Sequence, residues 1–403
     1  MKILVVTQYF WPENFRINDL CLGLRERGHE VTVLTGKPNY PKGDFYHGYS
    51  MFNKSNENWK GINIIRTALI RRKKGGGLSL MINYLSFAFF ASIKAIFIKG
   101  DFDKIFVYEP SPITVGFPAI IAKWKFKIPI YFWVQDLWPE SIAAASGLKN
   151  KFVLQIMDGV TRFIYKKSSK ILVQSQAFIP YILKQNVKID KLVYYPNSTE
   201  AFYRKLEPQQ KYKKMFPQNG GLNLLFAGNI GESQSFDTLI EAALLIKNKN
   251  TVVNWIILGD GRLKEYVRNR IEQLGLKDTF ILMGSFPSSE MPSFFACADA
   301  LIVSLKRNPI FSYTIPSKVQ SYMACGKPII ASLDGEGAKV VTEAFAGFSS
   351  SAENAGALAE NIIKFIALNE NDRNKLGENA QKYFEREFER EFLLSKLEEI
   401  FKN

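Results

Sequence analysis

Histidine and cysteine are the scarce residues of this chain, with two and three in 403 positions. Cys21, Cys297 and Cys325 are scattered and odd in number, which excludes a disulfide scaffold and a four-ligand zinc site and fits a reducing compartment. His29 and His47 leave little for histidine-based metal or triad chemistry, and His29 reads as structural because it precedes a strand. Neither a G-x-G-x-x-G nor a Walker A sequence is present, so dinucleotide and ATP readings fail. There is no low-complexity segment and no short-period repeat. Acid is also in deficit: 53 Lys+Arg against 38 Asp+Glu give a net charge of +15. Such a surplus needs an acidic partner, either nucleic acid, anionic lipid or a phosphorylated substrate. The basic residues are spread widely and no nucleic-acid module appears, so nucleic acid is set aside.

What is present is an ordinary folded composition, 47% hydrophobic, at a length that implies two or three domains. Residues 1–7 read as a buried strand rather than a leader. Continuous apolar runs at 2–6, 30–35, 62–66, 104–108, 130–133, 170–173 and 192–195 alternate with helical patterns such as 14–28, 114–124 and 152–167. Continuous rather than alternating strands point to a parallel sheet covered on both faces. Residues 196–221 are polar and read as a linker. Strand-like runs then restart at 222–227, 252–258, 280–283, 300–303 and 328–331. The expected fold is α/β, with two doubly wound domains. The expected domains are 1–200 together with a C-terminal helix 382–403 that returns to the first domain, and 201–381. That helix carries Phe384, Phe388, Phe392, Leu397 and Ile400 as one apolar stripe. A further segment, 78–98, is long and apolar enough to span a bilayer, but Ser79, Asn83, Ser86 and Lys94 share one narrow helical arc. With Arg71-Arg72-Lys73-Lys74 before it, it reads as a helix docked on the sheet that presents Phe and Ile to an anionic membrane surface, or as a buried core helix.

In doubly wound domains, ligands bind where the carboxyl ends of the strands open into a crevice. The loops after strands therefore hold the candidate site residues. After the first strand come Glu13, Asn14 and Arg16, either facing the crevice or forming a loop capped by Asn14. Tyr108 and Glu109 follow the fourth strand. Asp136 and Glu140 follow the fifth, where a carboxylate could orient or deprotonate an acceptor hydroxyl, or merely line a solvated turn. Asp101 and Asp103 lie before a strand, on the wrong side for a metal site. In the second half, Gly228, Asn229 and Gln234 form a strand-to-helix loop with two glycines, and Gly259-Asp260-Gly261-Arg262 repeats the device. Both loops can bring backbone N–H groups near a phosphate. The strongest signal is Pro316-Ser317-Lys318 at a helix start. Lysine opposes the helix dipole there, so its presence argues for a bound anion. Glu336 sits in another crevice loop.

The first strand, Arg27-Gly28-His29-Glu30-Val31, Tyr195-Pro196-Asn197, Gly259-Asp260-Gly261, Ala298-Asp299 and Tyr322-Met323-Ala324-Cys325-Gly326-Lys327-Pro328 together resemble glycosyltransferase family 4, which has the GT-B fold. The loop at Pro12-Glu13, with 36–41, 135–139 and 316–318, is more closely similar to bacterial O-antigen L-fucosamine transferases. The resemblance implies a retaining, metal-independent transferase without a cofactor. It also implies a nucleotide-sugar donor on the second domain and an acceptor on the first. The expected reaction moves an N-acetylamino deoxyhexose, such as N-acetyl-L-fucosamine, from a UDP-sugar to a polyprenyl-diphosphate-linked saccharide. It would take place at the anionic cytoplasmic face of the plasma membrane, to which the enzyme binds peripherally. The alternative is a GT-B-fold UDP-N-acetylhexosamine epimerase or hydrolase. The family's Arg and Lys diphosphate clamp aligns with Asn229 and Gln234, its two Glu with Tyr313 and Ser321, and its acceptor-side His with Gln135. Donor binding is therefore expected from Lys318, Arg262 and the backbone of Ser317, with Gly228, Asn229, Gln234 and Ser321 alongside and Glu336 as a sugar or ribose contact. Asp136 and Lys318 are the expected catalytic pair.

Overall fold

The valine, isoleucine and leucine runs form strands buried on both faces. In the computed structural model, which describes residues 1–72, 77–140 and 150–402, they build two sheets. The first sheet holds β1 (Lys2–Val6), β2 (Glu30–Thr35), β3 (Asn56–Trp59), β4 (Ile62–Arg66), β5 (Lys104–Glu109), β6 (Ile130–Val134), β7 (Lys170–Val173) and β8 (Leu192–Tyr194), in the order β3-β4-β2-β1-β5-β6-β7-β8. All pairs are parallel except β3 with β4. β3 (NENW) lacks an apolar run, so its pattern carries no strand signal. Its antiparallel pairing is a hairpin closed at Lys60-Gly61.

The second sheet holds β9 (Leu222–Ala227), β10 (Val253–Leu258), β11 (Phe280–Gly284), β12 (Ala300–Ser304), β13 (Ile329–Ser332) and β14 (Gly347–Ser350), in the order β11-β10-β9-β12-β13-β14. That is the doubly wound order, with the chain reversing direction between β9 and β12. In the first sheet the same reversal falls between β1 and β5. β14 is missed by the sequence pattern because GFSS is short, polar and on an edge.

The chain divides into two compact units, Met1–Asn197 with Leu394–Asn403, and Ser198–Leu393. The polar segment read as a linker belongs to the second unit. Gln210–Lys213 is a short helix, and Tyr212 and Phe216 are buried in the core with Met291 and Phe294. Two aromatic anchors outweigh the polar residues around them. The C-terminal stripe is likewise divided. The helix Glu370–Glu387 stops at Phe388 and a new one runs Arg390–Lys402. Phe388 is buried in the second unit's core, whereas Leu397 and Phe401 are buried in the first unit. Phe401 packs on Tyr131 and Phe106, and Glu398 pairs with Arg27 and His29. His29 thus works as a tether, also receiving the N-terminus at 3.1 Å. Asp103 accepts from the backbone N–H of Lys2 at 2.7 Å.

The helix Gly77–Phe97 inverts the usual amphipathic arrangement. Its polar arc faces the protein: Asn83 accepts from Gln8 Nε2 at 2.7 Å and donates to the Ile70 carbonyl at 2.6 Å, and Ser86 Oγ accepts from the Ile70 N–H at 2.9 Å. Its outer face is apolar, with Leu78 77%, Leu85 52%, Phe89 61% and Phe97 69% exposed. Arg71 and Arg72 precede it; Lys73 and Lys74 lie outside the described residues.

Candidate active site

The second unit carries a cavity of about 460 Å³ at the carboxyl ends of β9, β10 and β11, beside the point where the sheet reverses. Two glycines make it possible. Gly259 has φ +149, and a Cβ there would lie 1.8 Å from the Gly228 carbonyl oxygen, so the loops after β9 and β10 touch only because neither has a side chain in the way. At Gly228, φ +144, a Cβ would strike the Lys318 side chain. The glycine therefore admits the lysine to the loop.

Lys318 opens the helix Ser317–Ala324, whose cap residue Pro316 supplies no side-chain hydrogen bond. The start of this helix, with its unpaired N–H groups, and the Lys318 side chain thus both bring positive charge to the cavity. The ammonium sits 3.7 Å from the centre of the Phe226 ring and donates to Gln234 Oε1. Burial among these groups pushes its pKa down to about 7. Tyr322, on the same helix, accepts from the Ala227 N–H and donates to the Ile302 carbonyl, locking the helix to β9 and β12. Phe286, Met291 and Phe295 give the cavity apolar lining, and Ser285 and Ser288 offer hydroxyls. One apolar wall, one cation and one uncapped helix start suit a ligand with a flat apolar part and a phosphate part.

At the first sheet's reversal point lie the loops after β1, β2, β5 and β6. Glu13 is buried and accepts from the backbone N–H groups of Asn39 (2.8 Å), Tyr40 (2.7 Å) and Phe10 (3.3 Å). Burial pushes its pKa up to about 7 although these three donors oppose the rise. Glu13 therefore holds the 36–41 segment in place rather than facing outward. Above it, Tyr9, Phe15 and Tyr40 cluster, with ring centres 4.9–5.7 Å apart, and the Arg72 guanidinium lies 5.3 Å from the Tyr40 ring. Lys37 and Arg66 are buried below: Lys37 donates to the carbonyls of Asn53 and Lys54, and Arg66 pairs with Glu57. Asp136 follows β6, half-buried. Burial raises its pKa to about 6 against a hydrogen bond to Ser111 that lowers it. Ser111 Oγ also accepts from Trp138 Nε1 at 3.1 Å.

Residues 14–198 match the family model "Glycosyl transferase 4-like domain", and residues 209–383 match "Glycosyl transferases group 1". The chain belongs to the glycosyltransferases. Its relatives include the probable glycosyltransferase WbjE of Pseudomonas aeruginosa, 26% identical over 67% of this chain and 66% of that protein. The putative colanic acid biosynthesis glycosyl transferase WcaI of Escherichia coli is 24% identical over 81% of this chain and 82% of its own. Among solved structures, Alr3699/HepE of Anabaena in complex with UDP superposes with TM-score 0.71 at 15% identity, covering 100% of both chains. WaaG, a glycosyltransferase involved in lipopolysaccharide biosynthesis, gives 0.65 at 14% identity over 100% of this chain and 99% of its own. The fold of this glycosyltransferase is GT-B.

Of the residues singled out in the sequence, Gly228, Asn229, Ser317, Lys318 and Ser321 line the transferase's cavity. Gln234 stands one contact behind, on the Lys318 ammonium. Arg262 points away from it, 82% exposed and 3.6 Å from Glu232. Glu336 opens the helix Glu336–Glu343 near Lys339 and is not among the lining residues. Ser321 is turned to its own helix, donating to the Ser317 carbonyl and meeting Thr199 Oγ1 at 3.0 Å. In the first unit Asn14 is exposed and caps nothing: the helix Arg16–Glu26 begins after Phe15, with no side-chain cap. Arg16 and Glu140 are half-buried, and Tyr108 and Glu109 are buried. The aromatic cluster of Tyr9, Phe15 and Tyr40 and the cavity wall of Phe286, Met291 and Phe295 were not legible, because apolar residues in loops look like core.

Proposed function

We propose that this glycosyltransferase moves an N-acetylamino deoxyhexose, such as N-acetyl-L-fucosamine, from a UDP-sugar to a polyprenyl-diphosphate-linked saccharide, with retention and without a metal ion. The observation that carries the reading is Lys318. A cation inserted between Gly228 and Phe226, at an uncapped helix start, beside an apolar wall, is what a nucleoside diphosphate requires. The UDP named in the HepE structure and the polysaccharide pathways named for WcaI and WaaG support the same substrate classes.

As the sugar–phosphate bond breaks, charge grows on the leaving diphosphate. Lys318 and the helix N–H groups stabilise it there, the contribution that a divalent cation makes in other transferases. A leaving phosphate oxygen on the same face of the sugar takes the acceptor's proton, which gives retention. Asp136 orients the acceptor hydroxyl. The outward apolar face of Gly77–Phe97, with Arg71 and Arg72 at its start, fits an anionic membrane surface on the cytoplasmic side, where a lipid-linked acceptor is found. The test is a panel of UDP-sugars with a lipid-diphosphate-linked acceptor, the product anomer read by NMR. Absence of both turnover and UDP binding refutes the reading, and an inverted anomer refutes retention alone.

A further inference from the structure

Glu109 is 0% exposed, and neither of its carboxyl oxygens makes a well-formed hydrogen bond, the backbone N–H groups of Gln135 and Asp136 being the nearest donors. Among the described residues it forms no ion pair. A buried carboxylate without a cation or donors costs several kcal/mol, so such a group either keeps its proton or is an error of folding. Glu109 is also placed beside another carboxyl. It is the last residue of β5, paired in register with Val134, and its carbonyl accepts from the Gln135 N–H at 3.0 Å. Asp136 therefore leaves the sheet directly next to it.

We propose that Glu109 and Asp136 work as an acid–carboxylate pair, in which Glu109 keeps the proton and Asp136 carries the single negative charge that meets the acceptor hydroxyl. Glu109 is a positioning residue, and its assignment rests on Asp136 facing the acceptor. The groups that face Glu109 agree on where the proton resides. Asp136 and burial both push the Glu109 pKa well up, and the backbone N–H groups of Asp136 and Gln135 only partly oppose this. Asp136 is raised by burial and lowered by its hydrogen bond to Ser111. Tyr108 and Tyr165 are both buried nearby and are raised chiefly by burial; Arg16 acts on Tyr108 in the opposite sense and Asp136 in the same sense, and Glu140 adds to the rise at Tyr165. Two carboxyls at one strand edge share one proton because both cannot ionise cheaply.

Infrared spectroscopy on the full chain, with Glu labelled at the side-chain carboxyl carbon, tests where the proton lies without requiring substrate. At pH 8.5, where Glu13 with its pKa of about 7 is ionised, the wild type should show the carbonyl stretch of one neutral glutamic acid, and Glu109→Gln should lose it. Absence of that band in the wild type at pH 8.5 overturns the proposal, whether or not Glu109→Gln folds. The second readout is the pH profile of transfer. An amide mimics a neutral acid, so Glu109→Gln should keep the acid limb within about 0.3 of the wild-type position, whereas a downward move of about one pH unit or more would show that Glu109 was ionised and repelling Asp136.

Discussion

Replacing Lys318 with Met keeps most of the side-chain volume and removes the ammonium, and it should move binding and stability in opposite directions. For binding, the lost group is a charge-assisted hydrogen bond to phosphate, about 1.5–3 kcal/mol, or roughly 10- to 150-fold in Kd for UDP. For stability, the fall of the lysine pKa from 10.5 to about 7 sets a ceiling of about 5 kcal/mol on what burial costs the charged form. The side chain keeps some exposure, so about 1–2 kcal/mol is expected in practice. The sign follows from linkage. The folded protein binds fewer protons at this site than the unfolded chain between pH 7 and 10.5, so the penalty is complete below pH 7 and fades as pH rises. Lys318→Met should therefore melt higher than the wild type at pH 6–7 and converge with it near pH 10. Binding adds a second signature. A diphosphate selects the protonated lysine, so wild-type UDP affinity should fall with pH above 7, by up to tenfold per unit, with net proton uptake on binding. Calorimetry between pH 7.5 and 9 in buffers of different ionisation enthalpy reads both. Equal UDP affinity in the variant and the wild type, or the same pH slope in both, would refute the placement of this cation on the diphosphate.

Three other outcomes are expected. Gly259→Ala places a Cβ 1.8 Å from the Gly228 carbonyl at φ +149; it should cost about 3 kcal/mol or more in thermal unfolding and abolish UDP binding in the fraction that folds. Leu85→Asp with Phe89→Asp should release the protein from anionic vesicles in a flotation assay and leave UDP affinity unchanged, because both side chains are exposed and belong to the first unit, whereas every residue lining the cavity belongs to the second. Phe401→Ala empties a buried site against Tyr131 and Phe106 and should cost about 3–5 kcal/mol in denaturant unfolding, with UDP binding retained in the folded protein.

The sequence by itself determined the two sheets. Strands such as KILVV and VNWIIL are apolar at all but one position, and only a parallel sheet covered on both faces buries consecutive residues of such a run. It also determined the cation at a helix start, because Lys318 contradicts the local dipole and so had to be explained by something outside the helix. Edges and breaks were not legible. β3 and β14 are polar and exist through pairing, and the helix interruption at Phe388 sends one apolar stripe into two different cores. Only the tertiary structure decided what each carboxyl and cation does. Glu13 and Glu109 look alike in sequence, each at the end of a strand or in the loop after it. One is braced by three backbone N–H groups, the other makes no well-formed hydrogen bond, and that difference in partners comes from segments far away in the chain or on a neighbouring strand. Arg262 and Lys318 are equally plausible phosphate ligands on paper, yet one turns to solvent and the other is drawn onto Phe226 by a glycine ninety positions earlier, a placement that no local pattern encodes.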